Sequence, residues 1–299
     1  MKHSKLNVLF FVFNRPVHTE TTLSEILKQK EYIETLFIHV DYAVTQRDKL
    51  LQEKTLNTIN KILKGEKINV IWHEATENKG IAKSVVGLTN HIAETETLPT
   101  VVIEDDCVPL PGFMKYMSYY LYEFKDDPEI YTICGYQYKE DPITTTLDNI
   151  PIIDVEKTNR FNPWGWGMWP HKWKFEWLNS IDNSELKKLP SSVSEFLKMK
   201  QFQTGEIDIW STTVIFKQYV NNFKTIIPTV SLVENIGFDG TGVHSEVTNV
   251  FTKDNIIKSE PLIIKRCNTS MIINDKRENE IEIFLADNLS KVMFNKQQL

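Results

Sequence analysis

The segment Thr100-Val101-Val102-Ile103-Glu104-Asp105-Asp106 decides the architecture. Four β-branched residues in a row suit a strand buried on both faces, and three carboxylates follow without a spacer. The same grammar recurs around it. The apolar runs Leu6–Phe13, Thr35–Val40 and Ile68–Trp72 end in Asn14-Arg15-Pro16, Asp41-Tyr42 and the stretch from Glu74 to Lys79, and a fifth run covers Ile130–Cys134. Helical patterns over about 18–29, 46–64, 80–94 and 112–124 lie between the runs; the third places Ile81, Val85, Leu88 and Ile92 on one stripe. Alternation of this kind predicts an α/β fold: a mostly parallel central sheet of at least five strands, flanked by crossover helices. Ligands of such sheets bind beyond the carboxyl ends of the strands, so the polar clusters are expected to gather at one rim.

After residue 135 the pattern changes. A Thr- and Asp-rich stretch through Asn149 reads as a mobile loop and leads into Phe161-Asn162-Pro163-Trp164-Gly165-Trp166-Gly167-Met168-Trp169. Helical patterns resume over 191–200 and 206–220, followed by short strands at Thr225–Ile227 and Thr229–Val233. The run from Asn235 to His244 is loop chemistry, rich in Gly and Asp. Residues 250–299 carry mixed charge and no assignable motif.

With 299 residues, 41% hydrophobic and 25% charged, the chain can bury a sizeable core. A net charge of −6 without a basic stripe argues against nucleic acid as substrate. Cys107, Cys134 and Cys267 are too dispersed for a disulfide framework or a structural zinc site, and a reducing compartment fits them best. The apolar run at Leu6–Phe13 is far shorter than the ~20 residues of a membrane span. The sequence therefore reads as soluble and cytoplasmic, with peripheral membrane contact left open.

Three adjacent carboxylates at a strand end repel one another unless something positive joins them. Mg²⁺ or Mn²⁺, which binds through one or two carboxylates together with substrate phosphates, answers that need. A polar cap for the following helix answers it as well. Trp166 and Trp169 likewise have two readings: core packing, or ring faces exposed by the flanking Gly165 and Gly167 for contact with a sugar.

Taken in order, these motifs resemble GT-A glycosyltransferases, and in particular the inverting group that includes N-acetylglucosaminyltransferase I and bacterial polysaccharide glycosyltransferases. The resemblance runs through Asn14-Arg15-Pro16 after the first strand, His39-Val40-Asp41 ending the second, and Asn78-Lys79-Gly80 opening a helix. It continues with Glu104-Asp105-Asp106 as the DXD motif, Trp164-Gly165-Trp166-Gly167, and the loop ending at His244, spanning about residues 6 to 245. It implies a nucleotide-sugar-binding half over 1–135, an acceptor-binding and catalytic half over 136–249, and an extension over 250–299.

The resemblance also implies roles. Asn14, Arg15 and Asp41 would lie near the base and ribose, Asp105 near the ribose and transferred sugar, and Glu104 on sugar hydroxyls. Lys79, Gly80 and Lys83 would approach the diphosphate or sugar, and Trp166 would line the donor and acceptor pocket. Asp106 would ligate Mn²⁺ or Mg²⁺, with His244 completing the metal shell or touching the diphosphate. The general base would be Asp208 or Glu206, with Asp208 preferred, although the spacing in Gly205-Glu206-Ile207-Asp208-Ile209-Trp210 departs from the group's Asp-Asp-Trp pattern. The implied reaction is inverting, metal-dependent transfer of a hexosyl or N-acetylhexosaminyl unit. The donor is a nucleotide sugar, UDP-linked by preference, and the acceptor a glycan or lipid-linked precursor of a surface polysaccharide. Two alternatives stay open: a nucleotidyltransferase acting on sugar phosphates, though Phe13-Asn14-Arg15-Pro16-Val17 lacks the glycines usual after its first strand, and a catalytically silent sugar-binding protein.

Overall fold

Leu6–Val12 (β1) is buried along its whole length, which a strand achieves only when both faces of its sheet are covered. The computed structural model describes residues 4–138, 146–147, 150–176, 183–187, 189–191, 193, 210–241, 248, 251, 263–265, 273 and 275–294. Within them β1 alternates as its period of two demands. Leu6, Val8, Phe10 and Val12 enter a core shared with helices α1 (Pro16–Leu27), α2 (Gln46–Leu63) and α4 (Phe113–Glu123). Leu9 and Phe11 enter a second core, shared with α3 (Gly80–Thr95), the short α5 (Asn183–Leu186) and α6 (Trp210–Asn221).

The other strands are β2 (Ile33–Val40), β3 (Asn69–Glu74), β4 (Thr100–Glu104), β5 (Cys107–Pro109), β6 (Ile130–Cys134), β7 (Thr146–Leu147), β8 (Ile150–Ile153), β9 (Val155–Thr158), β10 (Trp166–Met168), β11 (Lys224–Pro228), β12 (Val233–Asn235) and β13 (Ile263–Ile264). The main sheet has eight strands in the order β3-β2-β1-β4-β10-β6-β11-β9. β3, β2, β1 and β4 are mutually parallel, β6 and β11 are parallel to each other, and β10 and β9 run against their neighbours. This is the mostly parallel, helix-flanked, Rossmann-like α/β architecture expected from the sequence. Two smaller sheets, β12-β5 and β13-β8-β7, complete the pairing.

Three features depart from the sequence reading. The Trp164–Gly167 block is partly strand, because Trp166–Met168 inserts between β4 and β6 in the middle of the main sheet. Strands β7 and β8 fall in and just after the stretch expected to be a mobile loop. The C-terminal extension holds α7 (Asp275–Phe294), which docks on the edge strand β9. There Glu278 accepts from the Thr158 hydroxyl and the Asn159 amide, Arg160 pairs with Glu282, and Arg277 reaches Glu156 at 3.0 Å. Covering an edge strand in this way withdraws its open hydrogen-bonding row from other chains. Among the described residues, no helix is long and apolar enough to cross a membrane.

Candidate functional site

Pro16 shapes the first wall of the site. Its ring fixes the first helical position of α1 and forces the preceding residue out of the helical region, so Arg15 has φ −115° and ψ 79° and the chain turns from β1 into α1 in one step. Arg15 thereby stands beside the carboxyl end of β4, the strand paired with β1. Its guanidinium lies on the acidic triplet. Nη2 pairs with Asp105 Oδ1, Nε with Asp105 Oδ2 at 3.3 Å, and Nη1 with Asp106 Oδ2 at 2.9 Å.

Burial governs the electrostatics here. Asp105 is buried and Glu104 and Asp106 are half-buried. Loss of hydration, followed by the nearby Asp106, pushes Glu104 up to about 8. Loss of hydration pushes Asp105 up to about 6 against the pull of Arg15. Burial works against the Arg15 charge too, but Asp106 and Asp105 together outweigh it and raise its already high pKa. One guanidinium thus faces three acidic groups, of which Glu104 is the one most biased toward its neutral acid.

The other walls come from α1 and from the loop after β12. His18 and Thr22 continue the α1 stripe begun by Arg15, with the Thr22 hydroxyl donating to the Asp105 carbonyl at 2.6 Å. His18 Nε2 lies 3.2 Å from Asp239 Oδ2, which ties α1 to the late loop. β12 pairs with β5, directly after the triplet, and the Ile236 amide donates to the Asp106 carbonyl at 2.9 Å. The Gly237 amide donates to Asn235 Oδ1 at 2.8 Å, which turns the loop across the front of Asp106. A Cβ on Gly237 would collide with the Asp106 carboxylate. Gly237 is thus a residue of the site that sequence reading missed; it stands in a run of loop residues with nothing to single it out. His18 and Thr22 were signalled only by their spacing from Arg15 along one helix. Gly237→Ala is expected to displace the Asp106 side chain and to lower any activity that depends on this carboxylate about 100-fold, since displacements near 1 Å carry costs of that size. Steady-state kinetics beside an unchanged circular dichroism spectrum would check this.

The remaining expected residues line the same rim without entering the cluster. Asn14 donates to Asp48 Oδ1 at 2.7 Å and so joins the end of β1 to the Thr45-capped start of α2. Asp41 turns back on the Tyr42 amide at 2.8 Å. Asn78 donates to the Tyr42 carbonyl at 2.8 Å and accepts from the Gly80 amide at 3.1 Å, with Gly80 at φ +73° opening α3. Lys79 and Lys83 are exposed on that first turn, Lys79 facing Glu77 at 3.4 Å. Because β3, β2, β1 and β4 are neighbours, these groups form a row ending at the triplet, three strand spacings or ~14 Å long.

Trp166 is elsewhere. It is fully buried, packed against Phe161, Trp173 and Trp210, so of its two readings the structure gives it the core one. Trp164, half-buried against Tyr136 and against Phe238 of the late loop, is the tryptophan nearer the rim. Glu206, Asp208 and His244 lie outside the described residues.

Among the described residues, no group of three or more His, Cys, Asp or Glu side chains is arranged to hold a metal ion by itself. The donor set nevertheless fits a hard cation that shares its ligands with a substrate. Asp105 and Asp106 offer carboxylate oxygens, and a guanidinium already stands there as a positive group.

In outline the chain is similar to several solved structures. S. aureus TarS 1–349 superposes with a TM-score of 0.42 and 13% identity, over 75% of this chain and 57% of that one. A mannosyltransferase from Pyrobaculum calidifontis, in complex with GDP-Man and Mn²⁺, gives 0.38 and 13% over 56% and 44%. A UDP-glucose pyrophosphorylase complexed with UDP-glucose gives 0.39 and 10% over 75% and 89%. The chain thus spans about half the length of TarS 1–349 and of the mannosyltransferase. Similarity of this degree carries no activity across. No protein-family model and no curated protein matches the chain.

Proposed function

We propose that the protein is a GT-A-type glycosyltransferase that moves a hexosyl or N-acetylhexosaminyl unit from a nucleotide diphosphate sugar, UDP-linked by preference, to a hydroxyl of a glycan or lipid-linked precursor. The observation that carries the reading is the Asp105–Asp106 pair at the carboxyl end of β4, beside the end of β1 and roofed by Gly237. Ligands of open α/β sheets enter at this position.

On this reading the row from Lys79 through Asp41 and Asn14 receives the nucleotide and Asp106 holds Mn²⁺ or Mg²⁺; Arg15, which the resemblance places near the base and ribose, meets the phosphates instead, because its guanidinium stands on Asp105 and Asp106. A bound divalent ion supplies neutralisation of the charge that develops on the leaving diphosphate. Asp105 and Glu104 orient the transferred sugar, for which carboxylates suit because each accepts more than one hydroxyl. Asp208 or Glu206 takes the proton of the acceptor hydroxyl. A single displacement then inverts the anomeric centre. His244 is assigned to the metal or the diphosphate.

A melting-shift screen of UDP-, GDP-, CMP- and dTDP-sugars, each with and without Mn²⁺, tests the proposal. A UDP-sugar with Mn²⁺ is expected to raise the melting temperature by about 5 °C at a hundredfold excess over Kd. Silence across the whole panel would remove the reading. Release of pyrophosphate from UTP and a sugar 1-phosphate would replace it with nucleotidyl transfer, and binding without any transfer would leave a sugar-binding protein.

A further inference from the structure

The geometry points to Arg15 as the residue that couples the ion to the nucleotide: in the free protein it occupies the carboxylates the ion needs, and a diphosphate draws it away. This rests on the donor-site reading and adds to it an order of events.

Arg15 engages both oxygens of Asp105 and one oxygen of Asp106, and the other Asp106 oxygen faces the Cys107 thiol at 3.5 Å. A Mg²⁺-like ion sits roughly 2.0–2.1 Å from its ligand oxygens. Placed on Asp106 Oδ2, it would share that atom with Nη1, now 2.9 Å away, and bring two positive charges into contact. The guanidinium and the ion therefore exclude each other at this oxygen.

Arg15 has the means to leave. Only its backbone is committed to α1, its carbonyl accepting from the Thr19 amide at 2.9 Å. Among the described residues its side-chain partners are the two aspartates alone. A guanidinium binds phosphate oxygens with the same two-pronged geometry that it uses on carboxylates, so a diphosphate at the end of β1 offers an equivalent partner. Once Arg15 has moved to it, Asp106 is open to the ion, and the neighbouring charge on Arg15 is compensated by phosphate. Coupling of this kind is reciprocal: the nucleotide tightens the ion by the factor with which the ion tightens the nucleotide.

The test measures Mn²⁺ binding to the full chain by electron paramagnetic resonance of the free ion, with and without UDP, correcting for Mn²⁺ held by UDP itself. Without nucleotide, Arg15→Met is expected to bind Mn²⁺ about tenfold or more tightly than the wild type, within the range of ordinary coupling energies. Adding Asp106→Asn to Arg15→Met is expected to abolish that binding, which locates the ion. UDP should tighten Mn²⁺ in both proteins, because the diphosphate ligates the ion directly, but by a factor about tenfold or more larger in the wild type than in Arg15→Met. Arg15→Lys, which keeps the charge but contacts one carboxylate at a time, should fall between them. Equal Mn²⁺ affinity of wild type and Arg15→Met, without nucleotide, overturns the coupling while leaving the metal site in place. Failure of every protein to bind Mn²⁺ even with UDP overturns the metal reading itself, and the coupling with it. Should Arg15→Met fail to fold, Arg15→Lys decides, and wild-type affinity in that variant counts against the proposal.

Discussion

Asp106→Ala is expected, under the proposed function, to lower metal-dependent transfer on the order of 10³-fold or more, by removing the ligand that would place positive charge against the leaving group. The same variant should fold. Arg15 keeps its two-point contact with Asp105, so no buried charge is stranded, and the Ile236 amide still finds the residue-106 carbonyl. A pH consequence distinguishes this from a generally damaged protein. Glu104 ionises at about 8 in the folded protein against 4.5 for its ordinary value, so the folded state binds its proton more tightly and stability falls as pH rises across that interval. Burial is the first cause of the upward push and Asp106 the second. Without Asp106 the fall becomes shallower, and thermal melts between about pH 5 and pH 8 should show the variant losing less stability than the wild type. Undiminished turnover in Asp106→Ala would end the assignment of the triplet.

The largest loss of stability is expected at Trp166→Ala, at about 3–5 kcal/mol. The ring is fully buried on the sheet face that carries α3 and α6, among Phe161, Trp173 and Trp210. Truncation leaves a cavity that the rigid sheet cannot close. A melting temperature lower by about 5–8 °C follows for a chain of this size. Trp166→Phe should cost far less, because it keeps most of the packing and deletes a buried indole N–H that has no partner among the described residues. If Trp166→Ala instead melted like the wild type and lost only sugar binding, the ring would belong to the site after all.

The contrast between these two residues shows where the sequence is legible. β1, β2 and β4 could be read because strands buried on both faces are apolar throughout, and Ile130–Cys134 has the bounds of β6. β10 could not. Three residues, Trp166-Gly167-Met168, show no period, and their partners β4 and β6 lie far away in the chain. The same block was open to a pocket reading because a tryptophan between glycines looks alike in a loop and in a tight central strand. Gly167 is there for packing, since a Cβ would meet Leu121 Cδ1 at 2.8 Å.

The site divides in the same way. Asn14-Arg15-Pro16 and Glu104-Asp105-Asp106 stand out as polar clusters at strand ends, and the parallel pairing of β1 with β4 brings them together. That Arg15 spends its charge on the triplet is a tertiary fact with no local trace. The docking of α7 through Glu278, Glu282 and Arg277 is equally invisible, because charges on an amphipathic helix look the same whether they face water or an edge strand.

The central claim concerns where the ion and the diphosphate sit, and the direct measurement is an anomalous-difference map from crystals grown with UDP and Mn²⁺. The account predicts a manganese peak about 2.0–2.2 Å from an Asp106 carboxylate oxygen. The diphosphate should lie on the far side of the ion, with the Arg15 guanidinium turned onto it. Manganese or nucleotide bound away from the carboxyl ends of β1 and β4 would contradict it.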